Sequence, residues 1–95
     1  FPSVPDYREQ AAASHFNLAV VLADQGEVKR AEAEHLKAVA VREKLVADFP
    51  AKPSYRVSLG VSYCTLGNTL RDDGRPADSL AWYNQAIGTL RPVYE

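Results

Sequence analysis

The chain has 95 residues, 46% of them apolar and 24% charged, with a formal net charge of −1. That is enough chain for one small globular domain, and its composition excludes a disordered polymer and any binding to nucleic acid or anionic membranes through bulk charge. The longest unbroken apolar run, Leu18 to Ala23, is far too short to cross a bilayer.

The chain opens on Phe1-Pro2-x-x-Pro5-x-Tyr7-Arg8. Asp6, just after Pro5, is a good helix N-cap, and Glu9 stands three residues on at capping-box spacing. A first helix is predicted over about 7–25. Tyr7, Ala11, Ser14, Leu18 and Leu22 recur along it at spacings of three and four, which makes one narrow buried stripe. Gly26 ends the helix in the left-handed conformation that glycine tolerates. A second helix is predicted over about 28–48 and stopped by Phe49-Pro50, since the residue before a proline resists helical geometry. Its acidic residues Glu32, Glu34 and Glu43 alternate with Lys29, Arg30, Lys37, Arg42 and Lys44, a pattern of a solvated mixed-charge face rather than paired catalytic carboxylates.

The opening pattern then returns as Phe49-Pro50-x-x-Pro53-x-Tyr55-Arg56. Ser54 is the corresponding N-cap, and a third helix is predicted over about 55–73 with the stripe Tyr55, Leu59, Ser62, Leu66, Leu70. Gly74 ends it, Pro76 fits the first turn of a fourth helix, and that helix is predicted over about 76–94. The second half is thus the first displaced by 48 residues without a gap. The shift also maps Ser14 onto Ser62, Leu18 onto Leu66, Leu22 onto Leu70, Asp24 onto Asp72, Gly26 onto Gly74, Ala33 onto Ala81 and Ala38 onto Ala86. Equivalence at a fixed offset predicts two alike hairpins, residues 1–48 and 49–95, in which Leu18 and Leu66 share one environment. Short turns make each helix pair antiparallel and adjacent. No apolar–polar alternation marks a strand, so the fold is predicted to be all-α.

Within the second unit, Leu66-Gly67-Asn68, Leu70, Gly74 and the run from Ser79 to Ile87 resemble the tetratricopeptide (TPR) pattern. The first unit shows it more weakly, as Asn17-Leu18-Ala19, Leu22, Gly26, Ala31 and Ala38. Small residues (Ala19, Gly67, Ala31, Ser79, Ala38, Ala86) stand where helix backbones approach, and large ones (Leu18, Leu22, Leu66, Leu70, Tyr63, Tyr83) fill the space between. The common period of the family is about 34 residues. The longer period here resembles repeats of large multidomain bacterial signalling proteins, serine/threonine kinases among them. The resemblance implies a stacked α-solenoid whose first helices line a groove that captures a peptide or partner segment. No residue pattern in the chain calls for a cofactor or a metal.

Opposite the Leu18 stripe, that groove face falls on Ala13, Phe16, Asn17, Val20 and Asp24, with counterparts Val61, Cys64, Thr65, Asn68 and Asp72. Asn and Asp there suit hydrogen bonding to an extended backbone, while Phe16 and Val20 suit an apolar side chain. The blander reading is that each is simply exposed, or packed against its neighbour. Asn17 and Asn68 also fit the scheme by which some TPR proteins hold a C-terminal carboxylate. Cys64 and Thr65 stand where that scheme needs basic residues, and Arg71 is the one cation near the face, so the scheme is not carried over.

Catalytic chemistry finds no footing. His15 and His35 read as packing residues, opposite Tyr63 and Tyr83 of the other unit. No zinc-ligand spacing or glycine-rich phosphate loop occurs. Cys64, the single cysteine, has no activating base nearby in sequence and allows no internal disulfide, which fits a reducing compartment such as the cytoplasm. The chain lacks methionine, even at position 1, and is one residue short of two periods; both features predict a piece cut from a longer array. Trp82 and Leu80 replace Glu34 and Glu32 of the first unit, so the fourth helix is the more apolar. Its surface is expected either to pack in the ordinary way or to carry a homo-oligomeric contact. The leading functional expectation is a non-enzymatic protein-binding scaffold. The alternative is a structural spacer or self-association module.

Overall fold

The computed structural model describes residues 4–94, and among them it contains four α-helices and no strand. They are α1 (Val4–Asp24), α2 (Val28–Asp48), α3 (Pro53–Asp72) and α4 (Pro76–Tyr94). Phe1 and Pro2 of the opening pattern lie outside the described residues. α1 packs on α2, α3 on α4, and α2 on α3, giving two antiparallel hairpins side by side in a slab of 39 × 32 × 15 Å. Adjacent helices pair in chain order, as short connections dictate.

The two hairpin turns are built alike. Gly26 and Gly74 adopt φ values of +80° and +75°. The Glu27 amide donates to Leu22 O at 2.9 Å, and the Gly26 amide to Ala23 O at 3.0 Å. Arg75 and Gly74 repeat this with Leu70 O and Arg71 O, at 2.9 and 3.0 Å. Each is a Schellman closure, which satisfies the last helical carbonyls and needs a left-handed residue at one place.

The N-termini differ from expectation. Asp6 and Ser54 are not caps; both lie inside the first turn of their helices. Lys52 is the cap residue of α3 and makes no side-chain capping bond, with Pro53 as the first helical residue. Proline lacks the amide that the first turn leaves unpaired, and its fixed φ is already helical, so the helix takes it in. Glu9 accordingly makes no capping box, and its carboxylate instead accepts from Arg42.

Close packing follows the small residues. Ala12, Ala19, Ala31 and Ala38 are fully buried in the first hairpin. In the second, a Cβ on Gly67 would stand 2.8 Å from the Tyr83 ring, and one on Gly60 would run into Leu90. Helices α1 and α3 thus each carry a small residue twice, seven apart, where the partner helix crosses. Across the joint, Val39 clusters with Leu59, Tyr63 and Ala86, with Cys64, Val46 and Trp82 packed against them. Trp82 stacks on Tyr63 with ring centroids 5.7 Å apart, so its main contact is inside the fold.

Leu18 and Leu66 do not share an environment, contrary to the expectation from their equivalence. Leu66 is fully buried, whereas Leu18 is 44% exposed. Tyr7, Ala11 and Ser14 are exposed as well, and of the expected first-unit stripe only Leu22 is buried. The cause is position in the stack. Among the described residues α3 packs closely on both α2 and α4, whereas α1 packs closely on α2. Equivalence in the repeat fixes where a side chain points, and burial further requires a neighbouring helix there.

The mixed-charge face of α2 is not simply solvated either. Glu32 accepts a two-pronged bond from Arg75 at 2.9 and 3.3 Å, and Glu43 accepts from the Tyr63 hydroxyl at 2.6 Å. Arg42 is 7% exposed and joins three helices. His15 is not packed: its Nδ1 meets Glu34 Oε2 at 2.6 Å on a half-open surface. His35 is buried, as expected.

Candidate protein-binding cleft

α1 and α3 run along the same side of the slab, and two depressions open between them. The first is a cleft of about 380 Å³ near their C-terminal ends, walled by Val20, Ala23 and Asp24 on one side and Thr65, Asn68 and Asp72 on the other. Thr69 and Val28 form part of its lining, and Asp73 stands at its end. The second, about 420 Å³, lies toward the N-terminal ends, between Asp6, Glu9 and Gln10 of α1 and Lys52, Ser54, Tyr55 and Ser58. Asp6, Gln10, Ala13, Asn17, Val20 and Asp24 recur every three or four residues, so both depressions share one face of α1.

Five of the ten residues expected on this face, Val20, Asp24, Thr65, Asn68 and Asp72, line the first cleft. Asn17 and Val61 are exposed without lining it, and Ala13 is half-buried. Phe16 and Cys64, equivalent by the repeat, turn inward. Phe16 meets the His35 ring edge-on at 5.8 Å and lies under the Arg42 guanidinium at 5.3 Å. Cys64 packs against the Val39–Leu59–Tyr63 cluster. Ala23, Gly26, Val28, Thr69 and Asp73 of the first cleft, and the whole second depression, lie outside the ten expected residues. For the α1 side the signal was available: continuing the stripe back from Asn17 reaches Gln10 and Asp6. Lys52 and Ser54 belong to the joint, where helical spacing gives no guide.

The polar groups of the cleft are partly committed. Asn68 Oδ1 accepts a hydrogen bond from the Tyr83 hydroxyl, which leaves the Asn68 amide hydrogens as its open donors. The Thr69 hydroxyl donates to Thr65 O at 3.1 Å, so its oxygen is left to accept from His35 Nε2 at 3.5 Å. Burial pushes the His35 pKa below its ordinary value, which keeps the ring neutral beneath the cleft floor. Asp24, Asp72 and Asp73 sit at the C-terminal ends of α1 and α3, where the helix dipoles add further negative potential. Arg71 offsets Asp72 alone, at 3.2 Å. This end of the cleft therefore offers carboxylates, one amide donor and the apolar walls of Val20 and Ala23.

Among the described residues no group of three His, Cys, Asp or Glu is placed to hold a metal ion. No described helix is long and apolar enough to cross a membrane. The tetratricopeptide repeat family matches residues 17–51, which cover the latter part of α1, all of α2 and the joint. The match falls on the first hairpin, although the sequence pattern is clearer in the second. Searches of curated proteins and of solved structures returned no significant match. The family match and the four packed helices fit a TPR-like helical repeat; members of that family generally bind proteins rather than catalyse reactions.

Proposed function

We propose that residues 1–48 and 49–95 act as two repeats of one cytoplasmic, non-enzymatic module that seats an extended partner segment between α1 and α3. The observation that supports this is the cleft itself. Two equivalent helices present Val20 and Ala23 as apolar wall, the Asn68 side-chain amide as a donor for a partner's backbone carbonyl, and three carboxylates at one end. A segment carrying Lys or Arg beside a small apolar side chain complements that surface. The test is a peptide array of basic, neutral and acidic segments probed with the chain and with a Val20→Ala/Asn68→Ala/Asp72→Asn variant. Basic segments are expected to bind best, and more weakly as salt rises. Equal binding of acidic segments, or full binding by the variant, overturns the assignment.

A second reading, self-association, is favoured by one specific observation. Large apolar side chains are exposed on the outer helices, among them Leu18 and Val21 on α1 and Leu80 and Ile87 on α4. Clustered apolar exposure on a small protein marks an interaction surface.

A further inference from the structure

One pattern of side chains meets two fates in this fold. On α3, Tyr55, Leu59, Ser62, Leu66 and Thr69 alternate at spacings of four and three and are all buried. α2 provides much of the cover: Val39 clusters with Leu59 and Tyr63, Arg42 donates to Ser62, and His35 meets Thr69. On α1 the equivalents Tyr7, Ala11, Ser14, Leu18 and Val21 are all exposed. The other half of the contact is also present and uncovered. α4 carries Leu80 and Ile87 where α2 uses Glu32 and Val39, and these are 59% and 53% exposed.

A surface meant for water should be more polar than its buried template. Here the order is reversed. Val21 replaces Thr69, and Leu80 replaces Glu32, a residue that binds Arg75 across the inner contact. Of the polar His35–Thr69 pair of the inner contact, Thr69 gives way to Val21 on the outer face of α1, while Tyr83, the counterpart of His35, turns back onto Gly67 and Asn68 of α3. Part of the volume lost where Ala11 stands for Leu59 is recovered by Ile87, one carbon larger than Val39. Two apolar faces that copy the halves of one packed contact lower their free energy by meeting each other.

We propose that α4 of one copy of this chain docks on α1 of a second copy, repeating between molecules the α2–α3 packing seen within one. The proposal rests on the self-association reading and names its two surfaces. Because those surfaces differ, the contact is head-to-tail, and each added copy leaves one α1 face and one α4 face open for growth.

The test uses sedimentation velocity on the 95-residue chain and two variants. Leu18→Glu/Val21→Glu blocks the α1 face, and Leu80→Glu/Ile87→Glu blocks the α4 face. All four side chains are exposed, and circular dichroism checks that the helices persist; Gln in place of Glu serves if they do not. The unmodified chain should grow with concentration beyond twice its 10.4 kDa mass. Each variant alone should stay monomeric, and their equimolar mixture should form a dimer that grows no further, because each supplies the face the other lacks. Leu36→Glu/Ala40→Glu, on the exposed side of α2, should assemble like the unmodified chain. A monomeric unmodified chain at all concentrations overturns both the proposal and the self-association reading. Association of the α4-blocked variant with itself, a mixture that stays monomeric, or dissociation by the α2 substitutions overturns the head-to-tail geometry alone.

Discussion

Arg42 donates from Nη1 to Ser62 Oγ at 2.7 Å, a buried polar bond between α2 and α3 that helps tie the two hairpins together. The same guanidinium donates through Nη2 to Glu9 of α1 at 3.2 Å and covers the Phe16 ring. A single buried cation thus fixes three helices, and its stem fills apolar space that a shorter side chain would vacate.

Replacing Arg42 by Ala should therefore cost about 3 kcal/mol, since it strands the Ser62 hydroxyl and the Glu9 carboxylate and opens a cavity. Arg42→Leu should recover part of that loss, because Leu90 fills the equivalent place in α4. Urea denaturation followed by circular dichroism checks both. Equal stability of Arg42→Ala and the unmodified chain would show that the junction contributes little.

Leu18 and Leu66 should respond unequally to one substitution. Leu66→Ala removes a fully buried side chain from the most enclosed helix and should cost about 3 kcal/mol. Leu18→Ala, at the equivalent position, should change the stability of the monomer by about 0.5 kcal/mol or less. The midpoints are to be compared at low protein concentration, where association does not contribute.

The four helices and their turns were legible, as was the place of Val20 and Asp24 beside the cleft, because each rests on local chemistry: glycine at a left-handed turn, proline at a first turn, side chains three and four apart. Burial was less legible. The stripe through Tyr7, Ala11, Ser14 and Leu18 points the same way as its counterpart in α3, yet only a neighbouring helix makes such a stripe a core. The charges of α2 misled for a related reason. Glu32, Arg42 and Glu43 alternate like a wet surface, but their partners Arg75, Ser62 and Tyr63 arrive from residues 20 to 43 positions away. Phe16 was assigned to the groove by helical angle alone, and the pull of His35 and Arg42 on its ring carries no sequence signal.

Two helical glycines should give opposite signs when changed to alanine. At Gly67 the new methyl would sit 2.8 Å from the Tyr83 ring, whose hydroxyl is held by Asn68, so either the ring or the helix must shift. A loss of about 1–2 kcal/mol is expected despite the gain in helix propensity. At Gly88 nothing lies within 4 Å of the new methyl, and the position is exposed within α4. Gly88→Ala should stabilise by about 0.5–1 kcal/mol. Thermal melts of the two variants beside the unmodified chain test the pair, and a gain at Gly67 would show that the Tyr83 ring yields easily.

Acid should weaken the fold through His35. Its ring is buried, its pKa is lowered by desolvation, and it packs beneath Thr69 and against Phe16 near the Arg42 charge. The unfolded state, with an ordinary imidazole pKa of about 6.5, binds the proton first. Below that pH the unfolded chain gains protons that the folded chain refuses, so stability falls as pH drops through 6.5 toward the lower folded value. Above 6.5 the contribution is complete and flat. In His35→Gln, which keeps a donor near Thr69 and cannot titrate, the urea midpoint should fall less between pH 7.5 and 5.5. Subtracting the two profiles cancels the His15–Glu34 pair and the carboxylates common to both proteins. Superimposable profiles would mean that the His35 ring accepts its proton as readily in the folded state as in the unfolded one.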